Sequence, residues 1–439
     1  MVRYLVLLLC ILLVAGCGGS GNNPPTSEDV LSYVNPFIGT GDQGHTFPGA
    51  TYPSGMVQLS PVTGVDSLDG YRYQDSLIAG FSHSQVNPGL DVLLMPIVGK
   101  VNEIGCHSRF SHDEEVASPG YYKVKLKDFD IMAELTVAPH AGFHRYTFPA
   151  SKESHIVLGF SKPGVNTAVN EEDSCTITGK STTAENGQQL YFVVKVSKPF
   201  HMKVTAGGKA PAGKNEQAIL SFATSENEMV LVKVGVSPAS MQQAVENLSA
   251  EIPDWDFNEI LTQAQLKWEH ELSGMNVVAP AETKTIFYTA LYHSLITPCR
   301  LTAQDTYAYT SRASLDSIIA LYTDQPDGLP GTDDGGKESA WFVYSAMGLY
   351  PVKPAEGRYL LGNPMLAAAS VTLQNRRFTM KAIGLSDKNI YVQSVKLNGK
   401  AYNKLYITNK DIMEGGSIEF KMGPTPGVFE GAMLPSSQN

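Results

Sequence analysis

The fold is decided by strict alternation in the stretch Tyr122-Lys123-Val124-Lys125-Leu126-Lys127. Its lysines fall on one side of an extended chain and its apolar residues on the other, which is the pattern of a half-buried strand. The same period of two recurs at 131–137, 191–196 and 229–236, with Gly and Pro between the runs. Because each sheet must bury one face against another, many short strands over 30–253 predict an N-terminal β-sandwich.

A helical period replaces this alternation after residue 253. Asp254 is predicted to cap a helix that ends at Leu272, before Gly274, and 254–282 is assigned to this linker helix. Further helices are expected at 283–296, around 315–322 and at 338–349, the last of them apolar on nearly all sides and therefore buried. Residues 283–352 thus form a helical domain, and 353–439 returns to short strands. The predicted class is a β-rich α+β protein.

Composition excludes one class of partner. The chain has 439 residues, of which 43% are hydrophobic, so more than one core is expected. Its formal net charge of -10, without a cluster of Lys and Arg, argues against nucleic acid as a partner. The five cysteines are widely spaced without a CxxC pair, which does not indicate a disulfide framework.

The N-terminus has the pattern of an export signal. A positive Arg3 precedes the apolar run 5–14, which is too short to span a bilayer as a helix. The run ends in Val14-Ala15-Gly16-Cys17, which resembles a bacterial lipobox. We therefore expect a signal peptide at 1–16, a lipidated tether at 17–29, and an exported lipoprotein held at a membrane through Cys17, in the periplasm or at the cell surface. The alternative is a plain secretory peptide with an incidental cysteine.

Two polar loops are candidates for chemistry. Residues 322–336 contain Asp324, Asp327, Asp333 and Asp334 among glycines and prolines. Crowded carboxylates require a cation, a proton or solvent, so a calcium site, a catalytic carboxyl group with a raised pKa and a solvated turn all remain open. The glycine-rich stretch 37–50 does not continue into a P-loop. It suits either the wall of a sugar site or a structural loop.

Several motifs together resemble one family. The N-terminal ones are Val34-Asn35-Pro36-Phe37-Ile38-Gly39-Thr40-Gly41, Gly44-His45-Thr46-Phe47-Pro48-Gly49-Ala50, Gly70-Tyr71-Arg72-Tyr73, Gly80-Phe81-Ser82-His83 and Gly142-Phe143-His144-Arg145-Tyr146. The later ones are Phe287-Tyr288-Thr289-Ala290-Leu291-Tyr292-His293, Pro326-Asp327-Gly328-Leu329-Pro330-Gly331, Ser339-Ala340-Trp341 and Ala346-Met347-Gly348-Leu349-Tyr350. With these motifs the chain resembles glycoside hydrolase family 92, the calcium-dependent inverting exo-α-mannosidases.

The resemblance implies a fold, a cofactor and site residues. A β-sandwich would pack on an (α/α)6 toroid with a mannose-containing oligosaccharide or glycoprotein glycan between them, but this chain has helices for only an incomplete remnant of the toroid. The resemblance places a large internal deletion near 298–312. It also implies calcium, with Asp334 as a weak ligand. The residues it implies are the general base Asp334 with its neighbour Asp333, and the substrate contacts His45, Phe47, Tyr71, Tyr73 and His83.

The deletion removes part of the chemistry that the family uses. Inverting hydrolysis needs an acid and a base on opposite sides of the scissile bond. The family's Glu-Gly-Asn-Ala-Trp, Trp-Asp-Thr and Gly-Asn-Glu-Pro motifs are absent, and Thr332 stands where relatives carry Asp or Asn. Three hypotheses follow. The chain is a weak or inactive α-1,2-mannosidase for N-glycans or mannan, a non-catalytic mannoside-binding surface lipoprotein, or a decayed product with uncovered apolar helix faces.

Overall fold

The structure is a computed structural model that describes residues 29–63, 70–84, 90–101, 106–159, 165–183, 185–206, 216–297, 318–353, 357–425 and 427. In these residues the strands form four sheets. The first sheet comprises β1 (Ala50–Thr51), β2 (Gln58–Thr63), β3 (Leu77–Ser82), β4 (Leu93–Val98), β5 (Ser108–Arg109), β10 (Ser151–Gly159), β14 (His201–Ala206) and β15 (Glu216–Thr224). Its strand order is β1-β2-β3-β4-β10-β15-β14, and β5 pairs with β3.

The second sheet also has eight strands and is antiparallel throughout. Its strands are β6 (Glu115–Ser118), β7 (Tyr121–Leu126), β8 (Ile131–Ala138), β9 (Ala141–Phe148), β11 (Val165–Asp173), β12 (Thr176–Thr183), β13 (Gln189–Val196) and β16 (Glu228–Ser237). They follow the order β11-β12-β13-β16-β9-β8-β7-β6 across the sheet. In β7 the alternation is exact, since Tyr122, Val124 and Leu126 are fully buried. One hydrophobic core joins the inner faces of both sheets, which confirms the predicted sandwich.

The helices are α1 (Met241–Glu251), α2 (Phe257–Leu272), α3 (Ala281–Ile296), α4 (Lys337–Ala346) and α5 (Asn409–Met413). The predicted cap of α2 was wrong. Asp256, and not Asp254, accepts hydrogen bonds from the N–H groups of Asn258 and Glu259, at 3.0 Å each. The backbone carbonyl of Asp254 instead joins those of Ile252 and Pro253 around the buried Lys233 Nζ of β16. This ammonium group fixes the connection between α1 and α2 on the sandwich.

The C-terminal strands form two smaller sheets that enclose the helices. One contains β17 (Met275–Val278), β20 (Ala368–Leu373), β21 (Arg376–Ile383), β22 (Tyr391–Leu397), β23 (Lys400–Ala401) and β25 (Gly416–Gly423), and the other contains β18 (Leu349–Lys353), β19 (Arg358–Leu361) and β24 (Tyr406–Thr408). The predicted linker therefore contains a strand, because β17 pairs with β20. Of the helix expected around 315–322, residues 318–322 are described, with helical structure at 318–319 and a turn at 320–321.

The helical segment is covered on most sides. In α3, nine residues from Ile286 to Ile296 are buried, and α4 packs against them. A second hydrophobic core joins both helices to the C-terminal strands and to Val30 and Val34 near the N-terminus. The apolar faces that the third hypothesis left uncovered thus have partners in the described structure. None of the described helices is long and apolar enough to cross a membrane.

Candidate functional site

The candidate base loop, defined here as residues 322–336, is a compact turn that leads into α4. The N–H of Thr323 donates to the carbonyl of Gly328, and the hydroxyl of Tyr322 donates to the carbonyl of Glu338. A side chain on Gly328 would lie 2.4 Å from the Thr323 carbonyl oxygen, so only glycine fits there. Gly335 and Gly336 follow in the left-handed region, at φ of 70° and 72°, and turn the chain into the helix.

Asp333 lies buried at the end of this loop. Its Oδ1 accepts from the Ser339 N–H at 3.1 Å, and its Oδ2 accepts from the Ser339 hydroxyl at 2.5 Å. Burial raises the pKa of Asp333 to about 6, although the hydrogen bonds from Ser339 and the Glu338 N–H oppose this shift. At neutral pH the carboxylate is therefore mostly ionised and binds the free N–H groups in the first turn of α4.

Asp334 follows in the short turn Asp334–Gly336. The structure describes its backbone but not its side chain. Its assigned roles as general base and calcium ligand therefore stay predictions. What the structure supplies is the position of its backbone, which Asp333 on one side and the two left-handed glycines on the other hold at the start of α4.

The glycine-rich loop of the sandwich, defined here as residues 37–50, touches the base loop directly. The N–H of Gly41 donates to the Pro326 carbonyl at 2.9 Å, and the N–H of Asp333 donates to the Gly44 carbonyl at 3.0 Å. A side chain on Gly44 would come within 2.1 Å of the Gly39 carbonyl oxygen. Two stretches almost 300 residues apart, which the sequence offered as separate candidates, thus form one surface at the junction of the sandwich and the helices.

Two of the predicted substrate contacts lie in this glycine-rich loop. His45 is exposed, with a left-handed backbone at φ of 54°. Phe47 is half-buried and packs against both large hydrophobic cores. His45 therefore presents a polar ring to solvent beside Gly44, whereas Phe47 supports the junction.

Tyr71 and Tyr73 lie beside a buried carboxylate. The Tyr71 hydroxyl donates to Glu115 Oε2 at 3.0 Å, and burial together with the Glu115 charge raises the pKa of Tyr71. Tyr73 is half-buried, with its ring stacked on His112 at 3.9 Å between centroids. Its N–H donates to the Thr40 carbonyl at 3.1 Å. The rings of Tyr71 and Tyr73 both pack against Phe37 and so support the glycine-rich loop.

His83 belongs to a buried hydrogen-bond chain in the sandwich. Its Nδ1 lies 2.6 Å from the Val92 carbonyl oxygen and its Nε2 lies 3.0 Å from His144 Nε2, while the Tyr146 hydroxyl lies 2.7 Å from His144 Nδ1. One proton arrangement satisfies every atom. Tyr146 donates to His144, His144 donates to His83, and His83 donates to Val92, with both rings neutral. Burial lowers the pKa of both histidines. The structure gives His83 a hydrogen-bonding role inside the sandwich.

His293 of α3 also belongs to the candidate site, although the sequence marked it only as part of a motif. Its ring is buried, and its Nδ1 lies 3.9 Å from Asp333 Oδ2. Within the described residues neither ring nitrogen has a hydrogen-bond partner. Burial lowers the pKa of His293 to about 4, so the ring is neutral at physiological pH. A histidine within the mostly apolar run 286–296 of α3 was the available signal.

Among the described side chains, no group of three or more His, Cys, Asp and Glu residues could hold a metal ion, and the side chain of Asp334, the predicted calcium ligand, is not one of those described. Calcium takes about six to eight oxygen ligands, and both carboxylate oxygens of Asp333 already accept hydrogen bonds. Cys17, the predicted lipidation site, lies outside the described residues.

The structure thus joins a β-sandwich to a helical segment, with the buried carboxylate of Asp333 at their junction. The Glycosyl hydrolase family 92 N-terminal domain matches residues 33–237, and the Glycosyl hydrolase family 92 catalytic domain matches 243–317 and 307–424. The chain belongs to glycosyl hydrolase family 92.

Solved structures share this fold. A family 92 α-mannosidase from Bacteroides thetaiotaomicron superposes with a TM-score of 0.80 at 20% identity, over 91% of this chain and 95% of that one. A family 92 inverting mannosidase from the same organism gives 0.79 at 16% identity, over 91% and 97%. An uncharacterized secreted glycosidase of Arthroderma benhamiae is 26% identical over 351 residues, which are 67% of this chain and 45% of that protein. The chain thus spans under half the length of this curated relative.

Proposed function

We propose that this chain recognises terminal α-linked mannose, in particular α-1,2-linked mannose of N-glycans or mannan, and hydrolyses it weakly with inversion. The observation that carries the proposal is the direct hydrogen bonding between the base loop and the glycine-rich loop, through Gly41 with Pro326 and Gly44 with Asp333. A second support is the likeness in fold to a family 92 α-mannosidase that has been solved in complex with mannoimidazole.

The weakness follows from the chemistry that the chain lacks. In an inverting mechanism Asp334, as the general base, would take a proton from the attacking water while a carboxylic acid protonates the leaving oxygen. The motif that carries the family's general acid is absent from the sequence. General acid catalysis contributes about 10²- to 10⁴-fold, so we expect turnover reduced by at least that range. The internal truncation near 298–312 stays part of this proposal because of the motifs that the sequence lacks.

A non-catalytic mannoside-binding protein is the second candidate. The observation that favours it is the engagement of Asp333, whose two oxygens bind Ser339 and stabilise α4. Asp333 and Asp334 are the two carboxylates expected near the general base, and the Asp333 carboxylate has a structural role. Calcium stays part of both proposals as an expectation from the family.

We also propose that the protein is exported and anchored through Cys17. The support is the apolar run before Cys17 and the similarity to a secreted glycosidase of Arthroderma benhamiae. Mass spectrometry of the mature N-terminus should detect a diacylglycerol-modified cysteine, and Cys17→Ala should move the protein from the membrane fraction to the soluble fraction. An unmodified Cys17 in the mature protein would contradict anchoring.

The test of activity is the release of mannose from α-1,2-mannobiose by the full chain, with added calcium and with a chelator. We expect slow release that Asp334→Asn abolishes. Asp387→Asn makes the same chemical change at an exposed turn in the C-terminal sheets and should leave the rate unchanged. Binding without any release would select the second candidate, and the absence of both would reject the proposed function.

A further inference from the structure

His293 and Asp333 face each other in a closed interior. The side chain of His293 is 3% exposed and that of Asp333 is 0% exposed, and 3.9 Å separates His293 Nδ1 from Asp333 Oδ2. Both ring nitrogens are without a hydrogen-bond partner in the described part of the chain. A buried donor without a partner is rare in folded proteins because its desolvation is not compensated.

Backbone contacts on two sides keep His293 and Asp333 close to each other. Gly336 lies against the last turns of α3, so closely that a side chain there would come within 2.3 Å of the His293 carbonyl oxygen. On the opposite side, the N–H of Asp333 donates to the Gly44 carbonyl of the sandwich. The turn that contains Asp334 is therefore packed between α3 and the glycine-rich loop.

A shift of about 1 Å would bring Nδ1 within ordinary hydrogen-bonding distance of Oδ2. As a neutral ring, His293 has one N–H to donate, and an ionised Asp333 is an acceptor. Such a charge-assisted bond would leave only the acceptor Nε2 without a partner, and unpaired buried acceptors are tolerated better than unpaired donors.

We propose that His293 is a positioning residue of the base loop, which donates from Nδ1 to Asp333 Oδ2 and thereby fixes the turn that carries Asp334. The role rests on the proposed function in one respect, since a fixed Asp334 matters for mannoside recognition. The hydrogen bond itself can be tested without any substrate.

The side-chain amide of Asn can replace the Nδ1 donor of His, whereas Phe retains the ring size and removes both nitrogens. We expect His293→Asn to unfold at nearly the same temperature as the wild type and His293→Phe to unfold at a lower one. If the ring nitrogens were simply unpaired, their removal would be neutral or stabilising. An unfolding temperature of His293→Phe at or above that of the wild type would therefore overturn the proposal.

Two further readouts keep the test decisive. In the full chain with ¹⁵N-labelled histidine, NMR should report His293 as the Nδ1–H tautomer, and an Nε2–H tautomer would contradict the proposal. Mannobiose affinity should fall about tenfold in His293→Phe and stay within about threefold in His293→Asn. A wild type that binds no mannobiose would reject the proposed function while the tautomer and unfolding temperatures still decide the role of His293.

Discussion

The sandwich and the helical segment satisfy their buried polar groups in different ways. In the sandwich, His83, His144 and Tyr146 form a chain in which each nitrogen and hydroxyl has a partner. In the helical and C-terminal part, buried polar atoms of His293, Ser345 and Asn363 have no partner among the described residues, whereas in the described part of the sandwich this holds only for the Ser60 hydroxyl. Three of the four described residues with unpaired buried polar side-chain atoms therefore lie in the helical and C-terminal part, which carries the candidate site.

The largest effect should come from the two glycines that turn the base loop into α4. Gly335 and Gly336 have almost the same φ, but a side chain on Gly335 meets nothing within 4 Å, while one on Gly336 meets the backbone of α3. Gly335→Ala should cost about 1–2 kcal/mol of unfolding free energy from backbone strain. Gly336→Ala adds an overpacking cost of about 1–3 kcal/mol. Denaturant unfolding measures both, and equal losses would contradict this account of the junction.

A smaller difference in unfolding free energy is expected between variants of two buried serines in α4. The Ser339 hydroxyl donates to Asp333, whereas the Ser345 hydroxyl has no partner among the described residues. Ser339→Ala should cost about 1.5–3 kcal/mol because the hydrogen bond is to a charged group, and Ser345→Ala should be neutral or slightly stabilising. The same denaturant experiment compares them. A Ser345→Ala variant as unstable as Ser339→Ala would refute the assignment of Asp333 as the anchor of α4.

The last comparison concerns the pH dependence of the sandwich, which appears only below the unfolded pKa of histidine. Burial lowers the pKa of His83 and His144 in the folded state, so these rings take up protons on unfolding. Their contribution to stability is full above the unfolded pKa of about 6.5 and is lost as the pH falls below it, by at most about 1.4 kcal/mol per pH unit for each ring.

Between pH 5 and 6.5 Asp333 and His293 also change their protonation on unfolding, so the contribution of the sandwich is measured as the difference between the wild type and a variant of the hydrogen-bond chain. His144→Leu should flatten the slope. His201→Leu, at an exposed histidine of β14, should not change it. A slope that is the same in both variants would contradict the neutral, closed hydrogen-bond chain.

The sequence predicted the sandwich and the main helices because their periodicity is local. Strand β7 and the buried positions of α2, from Phe257 to Leu272, follow directly from it. The sequence missed β17, whose pairing with β20 is a long-range contact. It also placed the α2 cap at Asp254, because Asp254 and Asp256 are equally suitable caps by sequence. In the structure Lys233 binds the backbone carbonyl of Asp254, and Asp256 caps the helix.

The candidate site was predictable in composition but not in arrangement. The two loops could be named from their glycines and carboxylates, but their contact through Gly44 and Asp333 depends on how the sandwich meets α3. His83, predicted as a substrate contact, makes hydrogen bonds inside the sandwich, and its contact with substrate stays a prediction. The partnership of His293 with Asp333 required the packing of α3 on the base loop.

The most direct test of the central claim is the calorimetric titration of α-1,2-mannobiose into the wild type and into Gly44→Ala. A side chain on Gly44 would collide with the Gly39 carbonyl and displace the glycine-rich loop from the base loop. We predict binding by the wild type at or below about millimolar concentration and at least about tenfold weaker binding by Gly44→Ala. Equal binding by the two proteins, or no binding by the wild type, would contradict a mannoside site at this junction.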